Sequence, residues 1–193
     1  MSIFSKFEKK IYFILRDIIS PISPAMCTRF MVRYYKRQGM RILGQPNYIS
    51  AKIWFDGTDY SQIELNEGCT ISSNIRILTH DWSLYTIGRG MGLKLEKPIG
   101  IFRSVRVGKY AFVGTGSILM PGANVGDGAI VGAGSVVRGS VPDWAIIAGS
   151  PAQIVGDSRE FMCKNLKRMG LAELLSQAEK FFNETKGSSV PNA

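Results

Sequence analysis

The sequence has very little histidine and cysteine, and it has no long uninterrupted run of apolar residues. The three cysteines, Cys27, Cys69 and Cys163, are odd in number and lack the spacing of a metal site. We therefore expect free thiols in a reducing compartment. Charged residues interrupt the first apolar stretch, which argues against a signal peptide, and no stretch reaches the length of a membrane span. These absences predict a cytoplasmic protein.

His80 is the only histidine among 193 residues. It stands within SSNIRILTHDWSLYTI, which runs from Ser72 to Ile87. A lone histidine can be a surface residue without a role, or it can be a proton acceptor, because imidazole titrates near neutral pH. The pattern of the surrounding chain has to decide between these two interpretations.

Basic residues are concentrated at one end of the chain. Residues 1–41 hold nine Lys and Arg residues and two acidic ones, so 9 − 2 gives +7 of the formal net charge of +9. The rest of the chain therefore carries only 9 − 7, or +2. A uniformly basic nucleic-acid binder would not show this distribution, so we expect no nucleic-acid partner.

The same basic segment has helical periodicity. Apolar residues recur every three or four positions at Phe4, Phe7, Ile11, Ile14 and Ile18. This spacing predicts an amphipathic helix, which Pro21 is expected to interrupt. Ser23 followed by Pro24 is typical of the start of a second helix, and that helix should end near Gln38 and Gly39.

We therefore interpret residues 1–41 as a basic amphipathic helical arm. Two roles remain open for it. The helices can cap the main domain and expose their charges to water, or the arm can bind peripherally to an anionic membrane, at the inner face of the cytoplasmic membrane. An apolar stripe alone does not distinguish a protein surface from a lipid surface.

The middle of the chain repeats every six residues. Aliphatic residues occupy Val107, Val113, Leu119, Val125, Val131 and Val137, and upstream Leu65, Ile71 and Ile77. A helix has a period of 3.6 residues and a strand a period of two. A period of six instead indicates short straight segments joined by tight turns, with each sixth side chain stacked inside the next coil. Three such segments make one triangular coil.

These hexads carry a resemblance to a known family. VGTGSILMPGANVGDGAIVGAGSVV, from Val113 to Val137, resembles the hexapeptide repeat of left-handed β-helix acyltransferases. VPDWAIIAGSPAQIVG, from Val141 to Gly156, is similar to the segment that closes the helix in that family. The resemblance covers residues 42–156 and implies an all-β solenoid core, a left-handed parallel β-helix with flanking N-terminal and C-terminal α-helices. Residues 157–193 are predicted to form one amphipathic helix, from about Ser158 to Asn183, and a tail.

One interruption of the repeat is informative. Ile77 and Val107 are 30 residues apart, or five hexads, but the residues between them fit the repeat poorly. We predict a loop at about 81–98 that is extruded from one corner, after which the coil resumes in phase. His80 stands where this loop leaves the coil.

The resemblance implies a function for this histidine. In the family, which includes the maltose and galactoside O-acetyltransferases, a histidine at the start of such a loop is the general base. Family members are homotrimers that bind acetyl coenzyme A between subunits. The resemblance thus implies O-acetyl transfer to a sugar hydroxyl with His80 as catalytic base. Asp81 and Trp82 follow His80 and are candidates for orienting the imidazole or for binding the substrate. Alternatively, Asp81 is a solvated loop residue and Trp82 packs at the trimer seam. Asp81 is a poor candidate for holding His80, because neighbours in an extended chain point in opposite directions.

The family also implies contacts with the coenzyme. The candidate positions are Phe112, Gly114, Thr115, Ala133, Gly134, Arg138 and Trp144. Basic residues that relatives place near the closing segment are absent here, so Arg138, or Arg159 slightly beyond, would have to bind the coenzyme phosphate. Trp144 has two open interpretations, stacking on adenine or capping the end of the coil.

One departure from the pattern of the family concerns the acceptor substrate. Galactoside-type enzymes have an asparagine in the coil before the histidine, whereas YISAKIW, from Tyr48 to Trp54, has none. We therefore expect another carbohydrate acceptor, such as a lipid-linked intermediate of surface polysaccharide biosynthesis.

Two alternative functions remain open for the chain, an N-acetyltransferase of a nucleotide-linked amino sugar and a non-enzymatic solenoid scaffold. Gamma-class carbonic anhydrases use the same helix but need three histidines, so we expect no metal.

Overall fold

The structure, a computed structural model, describes the backbone of residues 3–56 and 59–185 and the side chains of residues 8–56 and 59–185. Within these residues the chain forms a three-sided solenoid of parallel sheets with helices at both ends. The side chains of Phe4 and Phe7, and residues 186–193 of the tail predicted at 184–193, lie outside the described residues.

Three sheets form the sides of the solenoid. Sheet A contains β1 (Arg41–Leu43), β4 (Ile63–Asn66), β9 (Val105–Val107), β12 (Asn124–Val125) and β15 (Ser140–Val141). Sheet B contains β2 (Tyr48–Ile49), β5 (Thr70–Ile71), β10 (Phe112–Val113), β13 (Ile130–Val131), β16 (Ala145–Gly149) and the antiparallel β17 (Ala152–Asp157). Sheet C contains β3 (Trp54–Phe55), β6 (Arg76–Ile77), β11 (Ile118–Leu119) and β14 (Val136–Val137). The chain visits the sheets in the order A, B, C, so each circuit is one coil.

The hexad aliphatics form the core, as the sequence predicted. All nine are at most 1% exposed. The parallel register places Leu65 beside Val107 and Ile77 beside Leu119 in successive coils. Since burial of an aliphatic side chain stabilises the fold by about 1.5–3 kcal/mol, these inner side chains contribute strongly to stability.

Glycines at the corners have two different physical roles. Gly128 has a φ of +66°, in the left-handed region that favours glycine, and the Trp144 ring lies over it. A Cβ added at Gly126 would instead lie 2.5 Å from the Asp143 nitrogen of the next coil. The first glycine makes a turn possible, and the second allows neighbouring coils to approach.

Two helices precede the solenoid, α1 (Ile3–Ile22) and α2 (Pro24–Arg37). The Ser23 hydroxyl accepts a hydrogen bond from the Met26 amide at 3.3 Å, which confirms the predicted start of α2. Pro21 was expected to interrupt α1, but it does not. It sits in the last turn, where the Ser23 amide still donates to the Ile19 carbonyl at 3.0 Å. None of the described helices is long and apolar enough to cross a membrane.

The C-terminal segment contains two helices, α4 (Ser158–Arg168) and α5 (Ala172–Thr185). The single helix predicted from Ser158 to Asn183 was therefore wrong. Gly170, with a φ of +70°, ends α4, and the Leu171 amide donates back to the Leu166 carbonyl at 3.1 Å. This left-handed glycine cap turns the chain, and α5 then packs against α4.

The close approach of the coils at Gly126 makes a stability prediction. Gly126→Ala should lower the free energy of unfolding by about 2 kcal/mol and the melting temperature by about 6 °C, because the added methyl group overlaps the backbone of the next coil. Gly90→Ala is the matched control, since nothing lies within 4 Å of a Cβ at that position. Equal thermal melting of the two variants would contradict the packing described above.

Candidate active site

A loop leaves the solenoid at the corner between sheets C and A. It begins with β7 (His80–Asp81), continues through α3 (Ser83–Gly90) and ends with β8 (Ile101–Phe102). The two strands pair antiparallel, with His80 opposite Phe102. Because β9 then pairs with β4, the solenoid resumes in register after the loop.

Asp56, one coil earlier, holds the ring of His80. The Nδ1 atom of His80 lies 2.5 Å from Oδ2 of Asp56. The same carboxylate oxygen accepts hydrogen bonds from the amide and the hydroxyl of Thr79, each at 3.1 Å. Asp56 is only 3% exposed and Thr79 only 2%. A buried carboxylate fixed in this way orients the imidazole.

This pairing also determines which nitrogen of His80 is basic. A carboxylate accepts, so Nδ1 carries the proton that it shares with Asp56. The lone pair of the neutral ring then lies on Nε2, at the opposite side of the ring. The arrangement suits proton transfer to and from a substrate at Nε2.

Two aromatic rings stand beside the imidazole. The ring centroids of His80 and Phe102 are 5.9 Å apart and nearly parallel, and those of His80 and Trp82 are 5.7 Å apart. Trp82 and Phe102 meet edge to face at 5.3 Å, and both are exposed. Such exposed ring faces can pack against the apolar face of a sugar.

Asp81 has a different local role from Asp56. Its Oδ1 accepts a hydrogen bond at 2.7 Å from the Ser83 amide at the start of α3. That hydrogen bond holds the pKa of the Asp81 carboxyl below its usual range, and the positive charge of Arg138 acts in the same direction. Asp81 does not hold the imidazole, as expected from the sequence; the partner of Nδ1 is Asp56.

The proposed coenzyme residues occupy different corners of the coil. Phe112 lies on sheet B, and the turns between sheets B and C carry Gly114, Thr115, Ala133 and Gly134. Added atoms at Gly114 would meet the backbone of Ala133 at 2.6 Å, so this glycine is required by coil stacking. Gly134 is a left-handed turn with open space around its Cα.

Arg138 and Trp144 lie away from that group. Arg138 follows sheet C, at the corner that also carries His80. Trp144 lies between sheets A and B, where its ring covers Gly128 and packs edge to face on Phe181 at 5.3 Å. This placement fits the capping interpretation of Trp144.

Arg159 is not available for a coenzyme phosphate, contrary to the sequence-based alternative. It is 4% exposed and its Nη2 pairs with Asp157 Oδ2 at 2.6 Å. Its Nη1 also donates to the Thr185 carbonyl at 2.8 Å. The guanidinium thus ties the end of the solenoid to α5.

The described residues provide no cluster of three or more His, Cys, Asp or Glu side chains arranged to hold a metal ion. Burial raises the pKa of the Cys69 thiol to about 12 and also raises the pKa of the Cys27 thiol. Both sulfurs therefore remain protonated near neutral pH and are poor nucleophiles.

The sequence analysis missed Asp56, Thr79 and Phe102. The six-residue spacing begins at Leu65 and does not extend further towards the N-terminus, because Phe55 and Leu65 are ten residues apart instead of six. A signal for Asp56 was nevertheless present, since Ile49 and Phe55 are one hexad apart and a carboxylate follows directly.

Because His80 is the only histidine, its tautomer can be observed directly. Nuclear magnetic resonance of protein with isotope-labelled histidine should show the neutral ring protonated at Nδ1. Asp56→Ala should give a mixture of both tautomers, since the acceptor for Nδ1 is lost. Asp59→Ala is the control, because Asp59 is an exposed carboxylate that bonds to Ser61. A wild-type ring protonated mainly at Nε2 would rule out the pairing.

Comparisons with known proteins agree with this architecture. Residues 104–139 match the family described as bacterial transferase hexapeptide, six repeats. The chain is 28% identical over 145 residues to protein CapG of Staphylococcus aureus, which covers 75% of this chain and 81% of CapG. It is 44% identical over 52 residues to the putative lipopolysaccharide biosynthesis O-acetyl transferase WbbJ of Escherichia coli, covering 27% of this chain and 26% of WbbJ.

A similar structure has also been solved. A hexapeptide-repeat-containing acetyltransferase of Vibrio cholerae, complexed with acetyl coenzyme A, has a TM-score of 0.50 and 22% identity, and the match covers 62% of this chain and 61% of that one. This likeness shows a shared fold. The chain thus spans less than two thirds of the length of this protein and of WbbJ. The repeat, the solenoid and the relatives together confirm the resemblance to hexapeptide-repeat acyltransferases that was predicted from the sequence.

Proposed function

We propose that the chain transfers an acetyl group from acetyl coenzyme A to a hydroxyl group of a carbohydrate, with His80 as the general base. The observation that carries this proposal is the pairing of the only imidazole with the buried Asp56 where the loop leaves the solenoid. Burial of a carboxylate is costly, and a scaffold would gain nothing from orienting one imidazole ring. The names of WbbJ and of the Vibrio cholerae structure support the same class of reaction.

The reaction needs one proton acceptor and no covalent enzyme intermediate. Nε2 of His80 takes the hydroxyl proton while the acceptor oxygen bonds to the carbonyl carbon of the thioester. The carbon–sulfur bond then breaks, and the imidazolium returns the proton to the sulfur, so coenzyme A leaves as its thiol. Asp56 stabilises the imidazolium between these two transfers, as a positioning residue that acts through His80.

The geometry favours a site between subunits. The turns with Thr115 and Ala133 precede sheet C, whereas His80 follows sheet C, so one chain holds the two groups at different corners. We therefore include in the proposal a homotrimer in which the coenzyme corner of one subunit faces the loop of its neighbour. The left hand of the coil, carried over from the family, belongs to the same proposal.

The acceptor would rest against the aromatic wall of the loop. Trp82 and Phe102 offer exposed ring faces beside His80, as a sugar ring requires. The relation to WbbJ supports an acceptor from lipopolysaccharide or another surface polysaccharide. In this proposal residues 42–156 form the acyltransferase domain with its loop at about 81–98, residues 1–41 form the arm, and residues 157–193 form the C-terminal cap.

The role of His80 can be tested by the release of coenzyme A. His80→Ala should lower kcat by about a hundredfold to ten-thousandfold, as expected for a general base. Asp56→Asn should lower kcat by at least about tenfold with little change in KM for acetyl coenzyme A, because only the imidazolium loses support. The matched control Asp59→Asn should leave both constants unchanged.

The acceptor class is tested in the same assay. Carbohydrates that offer only hydroxyl groups should support the release of coenzyme A, whereas amino sugars should not become acetylated at nitrogen. Full activity of His80→Ala with a folded protein, or product acetylated only at nitrogen, would overturn the corresponding part of the proposal.

The position of the site between subunits can be tested by mixing two inactive variants. His80→Ala removes the base, and Thr115→Trp fills the coenzyme corner. Co-expressed in equal amounts, they should regain roughly a quarter of wild-type activity, because three quarters of random trimers are mixed and each mixed trimer has one intact site of three. If mixed trimers regained no activity, a site shared between subunits would be contradicted.

A further inference from the structure

The first helix exposes a continuous apolar face. Its members share one side of α1 and are between 41% and 73% exposed: Ile11, Ile14, Leu15, Ile18 and Ile22. We call these five residues the apolar face of α1. Ile11, Ile14 and Ile18 belong to the stripe singled out in the sequence, and the structure leaves these three side chains exposed. Exposed apolar patches of this kind indicate an interaction site.

The orientation of this face is fixed by aromatic packing on the other side of α1. Tyr12 is buried and stacks on Tyr34 with a centroid distance of 3.6 Å. Tyr35 in turn packs against Phe55 of the first coil at 4.7 Å. The helix therefore has an inner face already in use, and the apolar face remains as its outer side.

A row of arginines accompanies the apolar face. Arg29, Arg33 and Arg37 follow at intervals of four along α2, and all three are exposed. Arg33 and Arg37 line a groove of about 520 Å³ together with Ile11 and Leu15 of the apolar face. Glu8 is the single acidic side chain among the described lining residues of this groove. Guanidinium groups thus border apolar side chains directly.

We propose that α1 and α2 dock on an anionic lipid surface. The apolar face enters the boundary between headgroups and acyl chains, and the arginine row binds lipid phosphates. A second copy of the chain is a poorer occupant, because it would bring the same positive charges together. Nucleic acid would satisfy the arginines but leave the isoleucines in water.

Docking would also hold the candidate active site close to the membrane. The arm is tied to the first coil, where the Ile49 amide donates to the Thr28 hydroxyl at 3.1 Å. Phe55, which contacts Tyr35, directly precedes Asp56. A docked arm therefore holds the end of the solenoid that carries Asp56 and His80 near the membrane. That a lipid-linked carbohydrate is presented there rests on the proposed function, whereas docking itself does not.

Sedimentation with vesicles tests the docking independently of catalysis. The full chain should co-sediment with vesicles of phosphatidylcholine and phosphatidylglycerol, and should bind far less to phosphatidylcholine alone or at high salt. Replacing Arg29, Arg33 and Arg37 by glutamine should weaken binding by about fivefold per arginine, or about a hundredfold. The double variant Ile14→Ser with Ile18→Ser should weaken it by at least about tenfold.

Matched controls lie on α4. Replacing the exposed Lys164, Lys167 and Arg168 by glutamine removes the same charge and should leave binding nearly unchanged. No binding of the full chain to anionic vesicles would overturn the proposal, as would equal losses in the arm and α4 variants. A change of oligomeric mass in the arm variants without vesicle binding would assign the face to contacts between copies. Loss of acetyl transfer with intact vesicle binding would count against the proposed function alone.

Discussion

One aliphatic side chain per hexad, stacked down the middle of a three-sided coil, is the constraint on which the rest of the structure depends. Each coil must return to the register of the one before it, or the column from Leu65 to Val137 would lose its packing. Extra residues can therefore leave the coil only at a corner. The chain uses one corner twice, after Phe55 and after Ile77, and this brings Asp56 to His80.

This coupling of register and chemistry explains why a solenoid can hold a precise site. Asp56 and Thr79 lie at the exits of successive coils, where the parallel register sets their separation. The imidazole is attached to that rigid edge, while Trp82 and Phe102 belong to the extruded ribbon. In the proposed function, the core thus positions the general base, and the loop, which can vary without disturbing the core, supplies the surface for the carbohydrate.

The sequence predicted the features that follow from a repeated pattern. The period of six predicted the buried column, and the gap from Ile77 to Val107 predicted the place where the coil is interrupted. It did not predict Asp56, because four extra residues before Leu65 shift the frame. Pairings between coils, such as that of Asp56 with His80, are also invisible in a one-dimensional pattern. Arg159 was considered for a phosphate, but at the junction of β17 and α4 its side chain pairs with Asp157, two residues earlier. In the C-terminal segment, apolar spacing outweighed the stop signal of Gly170.

The proposed reaction requires Nε2 of His80 to lie close to the thioester, and a structure of the chain with bound coenzyme A measures this directly. The account predicts the coenzyme in the cleft between two copies, with its sulfur facing Nε2 of His80 and the Asp56 contact to Nδ1 intact. A coenzyme bound within one chain, with its sulfur remote from His80, would contradict it.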